Sequence, residues 1–210
     1  MKQRGSNMSL LEKAKEYASA KHEGQKYGDQ PYLFHLAQVV QTLIEHGVQD
    51  ENTLVSAWLH DVLEDTSTTV EELTNEFGAD TAVIVFAVTD EPGKSRKERH
   101  ERTYPKTAAT PKAGILKLGD RVANVKHALS VVYQVNDMID SGLVGGKRDG
   151  NIGYAEAMCT VAQQYSLFKM YRKENDEFLK EMVEKSVDKD DPSFISLVKK
   201  LKEMMETEKP

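Results

Sequence analysis

Apolar residues return every three or four positions along most of the chain, the spacing of amphipathic helices rather than the alternation of strands. Ser9 has the hydroxyl of a helix cap, and Leu10, Leu11, Ala14, Tyr17 and Ala18 follow it at helical spacing. The segment GQKYGDQPY (24–32) breaks the pattern with two glycines and a proline and reads as a loop. A second helix opens at His35, carries Val39, Val40, Leu43 and Ile44, and ends at Gly47. Over residues 50–65 apolar side chains point in every direction, which predicts a central, buried helix.

Thr69 and Glu72 have the spacing of a capping box and open a short helix to Phe77, which Gly78 closes. Residues 79–89 (ADTAVIVFAVT) are β-branched enough for a strand, but their neighbours favour another core helix. The charged stretch DEPGKSRKERHERTYPK leads to a helix from Lys112 to about Leu129. A Gly-rich loop is expected from Asp140 to Asn151, then helices over about 153–184 and 192–206. In the last of these Phe194, Ile195, Leu197, Val198 and Leu201 form one stripe. Without repeats or a linker, the pattern predicts an all-α fold. One helical domain would span 9–185, followed by a C-terminal helix and tail over 186–210.

Composition narrows the function classes. A net charge of −6 and a pI near 5.6 argue against a protein that coats a nucleic acid polymer or an anionic membrane. The N-terminus lacks the apolar run of a signal peptide, and no stretch approaches the roughly 20 apolar residues of a membrane span, so a cytoplasmic location is expected. The single cysteine, Cys159, excludes an internal disulfide and reads as a small buried apolar residue.

The chemistry concentrates in WLHDVLEDT (58–66), where His60, Asp61, Glu64 and Asp65 interrupt an apolar stretch. Buried charges need partners, a metal ion or a catalytic task. On a continuous helix His60 would stack over Glu64, and Asp61 over Asp65. In KLGDRVANVKH, Lys117, Asp120, Arg121 and Asn124 share one helix face. With His35, the set His35, His60, Asp61 and Asp120 offers two nitrogens and two oxygens, which suits Mn²⁺, Fe²⁺, Co²⁺ or Zn²⁺. Glu64 and Asp65 then stand where a metal-bound water and a leaving group need proton handling. A lone core histidine is more often a packing residue than a ligand, but four such groups within six residues are hard to explain by packing.

The stretches GQKYGDQPYLFH, AWLHDVLEDT, TVEELTNEFG and KLGDRVANV together resemble the HD-domain phosphohydrolases. Within them the chain is similar, over about residues 10 to 130, to the hydrolase module of RelA/SpoT alarmone enzymes and their stand-alone relatives. The resemblance implies a mononuclear Mn²⁺ site on His35, His60, Asp61 and Asp120, with Glu64 and Asp65 activating or orienting water. It places Asn124 in the nucleotide pocket and implies hydrolytic removal of the 3′-pyrophosphate of (p)ppGpp. The chain leaves no room for the synthetase domain of the long enzymes, so hydrolysis alone is expected.

Lys26 stands where those enzymes have a base-stacking arginine, His127 where they have a threonine, and Leu36 where a proline follows the first histidine. Lys94, Arg96, Lys97, Arg99, Arg102 and Lys106 concentrate positive charge suited to phosphate. Lys97, Arg99, Arg102 and Arg121 are the candidate substrate contacts, with Lys26 and Asn124. Tyr171, on a late helix, reads as a packing aromatic. Rival readings are a hydrolase of another phosphorylated nucleotide or metabolite, and a non-catalytic nucleotide-binding protein of the same fold. The terminal helix is a candidate homodimer surface in either case.

Overall fold

The computed structural model describes residues 8–140 and 152–206. Ser9 caps α1 (Leu10–Lys21): its hydroxyl accepts from the Glu12 N–H while the Glu12 carboxylate accepts from the Ser9 N–H. The expected loop at 24–32 holds a small antiparallel hairpin, β1 (Lys26–Tyr27) paired with β2 (Gln30–Pro31). Gly28, in the turn, takes φ 59°, a left-handed conformation that glycine adopts without strain. Pro31 leads straight into α2 (Tyr32–Glu45), so His35 lies inside the first turn rather than at the helix head.

The continuous helix expected over 50–65 is divided. Asp50 caps α3 (Glu51–Leu59), His60 and Asp61 form a turn, and α4 (Val62–Asp65) follows. His60 Nδ1 donates to the Ala57 carbonyl at 2.9 Å, competing with the ladder bond that would continue the helix. The Glu64 and Asp65 N–H groups both bond to the Asp61 carbonyl and restart the chain in a new direction. The apolar pattern is the same for either arrangement, which is why periodicity did not reveal the break.

Thr69 caps α5 (Val70–Phe77), but Glu72 does not complete a capping box; its carboxylate accepts from Tyr17 at 2.6 Å and pairs with Lys21 at 2.8 Å. Residues Ala79–Val88 form the helix α6, since burial on most sides outweighs the strand preference of its β-branched residues. Ser95 caps α7 (Arg96–Ala109), which runs through Pro105. α8 (Ala113–Asp140) extends beyond its expected end and is the hub, touching α2, α3, α6, α7, α9 (Ile152–Lys185) and α10 (Pro192–Glu206). The predicted glycine-rich loop lies outside the described residues.

α8 meets α2 closely at Gly119, where a Cβ would stand 2.6 Å from Leu43 Cδ2. On α10 the buried stripe is Phe194, Leu197, Leu201, Met204 and Met205, which join the main core. Ile195 is not part of it and is 55% exposed, one helix step off the buried phase. Cys159 is exposed on α9 rather than buried, with its sulfur 3.7 Å from Gln163 Nε2. Among the described residues no helix is long and apolar enough to cross a membrane.

Candidate metal centre and its cavity

Three elements bring the histidines and carboxylates together: His35 from α2, His60 and Asp61 from the α3–α4 turn, and Asp120 from α8. His60 Nε2 is 3.0 Å from Asp61 Oδ2 and 3.8 Å from Asp120 Oδ1. His35 Nε2 is 3.4 Å from Asp120 Oδ1 and 3.7 Å from Asp61 Oδ2. Ligand atoms of His35, His60 and Asp120 all lie within 4.8 Å of one another. A carbonyl only accepts, so the Ala57 contact fixes the proton of neutral His60 on Nδ1 and aims the Nε2 lone pair at the carboxylates. His60 Nε2 is buried without a conventional hydrogen-bond partner.

The imidazoles and carboxylates of the cluster stabilise one another's charged forms against the cost of burial. Burial works against a charged His60, but the Asp61 carboxylate outweighs it and raises the imidazole to about 9. Burial likewise opposes ionisation of Asp61 and Asp120, yet His60 for the one and His35 for the other hold both below the ordinary carboxylate range. Two carboxylates, Asp120 buried and Asp61 half-buried, and two converging imidazole nitrogens form a donor set that fits a divalent cation.

The cluster lies in the wall of a cavity of about 230 Å³. Glu64 reaches its rim; it is exposed, but towards the cavity, and its carboxylate accepts from the Asp90 N–H at 3.3 Å. Burial among the cavity walls and the charge of Asp90 both raise its pKa. Arg96, Arg99, Lys117 and Arg121 give the same cavity four cationic side chains. Arg121 is buried, donating to Asn175 Oδ1 and to the Tyr104 hydroxyl, each at 2.7 Å. Arg96 pairs with Glu174 at 2.6 Å; the buried Arg99 Nε has no hydrogen-bond partner and stands 3.8 Å from Asp90 Oδ2 in a looser ion pair.

A family profile described as the HD domain matches residues 14–136. The chain belongs to the HD-domain family. The guanosine-3′,5′-bis(diphosphate) 3′-pyrophosphohydrolase of Aquifex aeolicus is 40% identical over 121 residues, covering 55% of this chain and 17% of that protein. The protein of that name called MESH1 from Danio rerio is 33% identical over 126 residues, 58% of this chain and 70% of its own length. The match therefore spans a small part of the first relative and most of the second. A solved structure described as a metazoan ortholog of SpoT that hydrolyzes ppGpp has the same fold, with a TM-score of 0.64 at 23% identity and 93% of both chains covered.

Within this HD domain the residues singled out from sequence divide into two groups. His35, Asp61, Glu64, Asp120, Asn124, Arg99 and Arg121 line the cavity, and His60 stands directly behind it. Asp65 does not line it; its main-chain carbonyl accepts from Gln25 at 3.0 Å. Lys26 is exposed outside the cavity. Lys97 faces solvent near Glu101, and Arg102 is bound to Glu98 at 2.6 Å and to the Pro92 carbonyl at 2.8 Å. Lys106 is held by Glu91 and the Thr89 carbonyl.

The cavity also contains residues that sequence reasoning passed over: Tyr27, Tyr32, Asp90, His100 and Asn175. Tyr171, read as a packing aromatic, lines it as well. The helical phase of α7 would have identified His100, since residues 96, 99, 100 and 103 share a face. Asn175 and Tyr171 reach the site only through the packing of α9 on α7 and α8.

Proposed function

We propose that this HD domain is a metal-dependent hydrolase that removes the 3′-pyrophosphate of (p)ppGpp, leaving GDP or GTP. One observation carries the reading most: the histidine–carboxylate cluster, a carboxyl with raised pKa at Glu64 and four cationic side chains open into one cavity. The names of the relatives from Aquifex aeolicus and Danio rerio support the choice of substrate. We assign the catalytic unit to residues 9–185, with 186–210 as a C-terminal helix and tail.

His35, His60, Asp61 and Asp120 would hold a divalent ion, Mn²⁺ in this reading. When bound, such an ion supplies Lewis-acid polarisation of a phosphoryl oxygen and a water that ionises near neutral pH. Glu64 takes a proton from the attacking water, a role that its raised pKa suits. Arg99, whose Nε makes no internal hydrogen bond and only a 3.8 Å ion pair with Asp90, grips the phosphates, together with Arg96 and Lys117. Arg121 is committed to Asn175 and Tyr104 and acts through its fixed charge. Asp65 adds negative charge behind Tyr32 rather than touching substrate.

The decisive experiment is single-turnover hydrolysis of ppGpp by metal-stripped protein, before and after refilling with Mn²⁺. Release of GDP and pyrophosphate only after refilling supports the function. Full Mn²⁺ occupancy with no release of either product overturns the substrate assignment.

A further inference from the structure

Tyr27 in β1 and Tyr32, directly after β2, are each connected to one carboxylate of the cluster. The Tyr32 hydroxyl donates to Asp61 Oδ2 at 2.7 Å. The Tyr27 hydroxyl donates to Asn124 Oδ1 at 2.7 Å, and Asn124 Nδ2 donates in turn to Asp120 Oδ1 at 2.6 Å. The same hairpin steadies a histidine: the Tyr27 ring lies over His35 with centroids 4.7 Å apart and planes 23° apart. Tyr32 is itself backed by His22, stacked at 4.7 Å and 20°, and His22 Nδ1 pairs with Gln25 Oε1 at 2.7 Å.

These bonds have a physical task. Each carboxylate can rotate about two bonds, and two like charges beside each other favour swinging apart. A hydrogen bond donated to one chosen oxygen fixes the rotation and leaves the remaining lone pairs directed at the imidazole nitrogens. Asn124 has its amide oxygen and its amide nitrogen both committed within this chain of bonds, which leaves it little capacity to read a ligand.

We propose that Tyr27, Asn124 and Tyr32 are positioning residues for the metal site, acting through two separate arms, Tyr32 on Asp61 and Tyr27 through Asn124 on Asp120. The proposal rests on the divalent-metal reading above and assigns Asn124 to the carboxylate it holds rather than to the nucleotide. A merely structural role would lower the stability of the fold without changing how tightly the metal binds.

The test is calorimetric titration of Mn²⁺ into metal-stripped parent protein and the variants Tyr27→Phe, Tyr32→Phe and Asn124→Ala. The thermal midpoint of each metal-free protein and the absorption spectrum of each Co²⁺-loaded protein are recorded alongside. Each variant should lose about 10- to 100-fold in Mn²⁺ affinity and show an altered Co²⁺ spectrum. The double variant Tyr27→Phe/Asn124→Ala should bind no more weakly than Asn124→Ala alone. Tyr32→Phe/Asn124→Ala should show the product of the two single losses.

Variants that bind Mn²⁺ within about twofold of the parent while melting earlier overturn the inference and leave the metal reading intact. Multiplicative losses for Tyr27 with Asn124 overturn the arm that joins them. A parent protein that takes up no metal overturns both the inference and the reading beneath it.

Discussion

Glu64 and His100 both line the cavity, and the protein shifts them in opposite directions. Burial and the neighbouring Asp90 raise Glu64, so it holds a proton more readily than a free glutamate. Replacing it with glutamine keeps the shape and removes the base. Glu64→Gln should slow single-turnover pyrophosphate release by about 10²- to 10⁴-fold while calorimetric Mn²⁺ affinity stays near the parent's. His100 is buried, with the Arg121 charge beside it, and its pKa is lowered to about 4. Between pH 4 and the ordinary value near 6.5, the unfolded chain binds a proton that the folded one refuses. The stability this contributes is complete above about pH 6.5 and declines as the pH falls towards 4. Between pH 7 and pH 5 the urea midpoint of His100→Gln should therefore fall less than that of the parent; an equal fall would show that His100 titrates normally.

At the scale of elements, the site depends on how closely α2 and α8 approach. Gly119 directly precedes Asp120, and its missing side chain lets Leu43 of α2 pack against the α8 backbone. Alanine is the better helix former by about 1 kcal/mol, yet its methyl would meet a fully buried leucine. Overpacking of about 1–3 kcal/mol should outweigh that gain, so Gly119→Ala should unfold at lower urea concentration. Separating the helices also separates His35 from Asp120, and Mn²⁺ affinity should fall with stability.

Sequence legibility at this scale was uneven, for reasons visible in particular helices. α6 was readable despite its β-branched residues because helices flank it on both sides. The division between α3 and α4 was not, because a helix and a helix–turn–helix step place the same apolar residues inside. The basic stretch 94–106 gave the charge but not its direction; only the phase of α7 turns Arg96 and Arg99 inward and Lys97 and Arg102 outward.

For the whole molecule, the cluster draws its ligands from three elements, so a metal bound there resists unfolding of all three. At a free Mn²⁺ concentration 100-fold above its dissociation constant, the folded state should gain about 2.7 kcal/mol. For a domain of this size the thermal midpoint should rise by about 5–10 °C and return to its starting value on chelation. A midpoint insensitive to metal would separate the cluster from folding.

The sequence by itself determined the helical class, the limits of α5, α6, α9 and α10, and the identity of the groups in the histidine–carboxylate cluster. Those properties follow from neighbours one to four residues apart, where periodicity and adjacency act directly on the backbone. Only the tertiary structure decided what surrounds the cluster: Tyr27 from the hairpin, Tyr32 from the start of α2, Arg96 and His100 from α7, and Tyr171 and Asn175 from α9. The helix residues are brought in by burial of apolar faces elsewhere on α2, α7 and α9, and Tyr27 by the pairing of β1 with β2; no local spacing records which residue will then face the cavity.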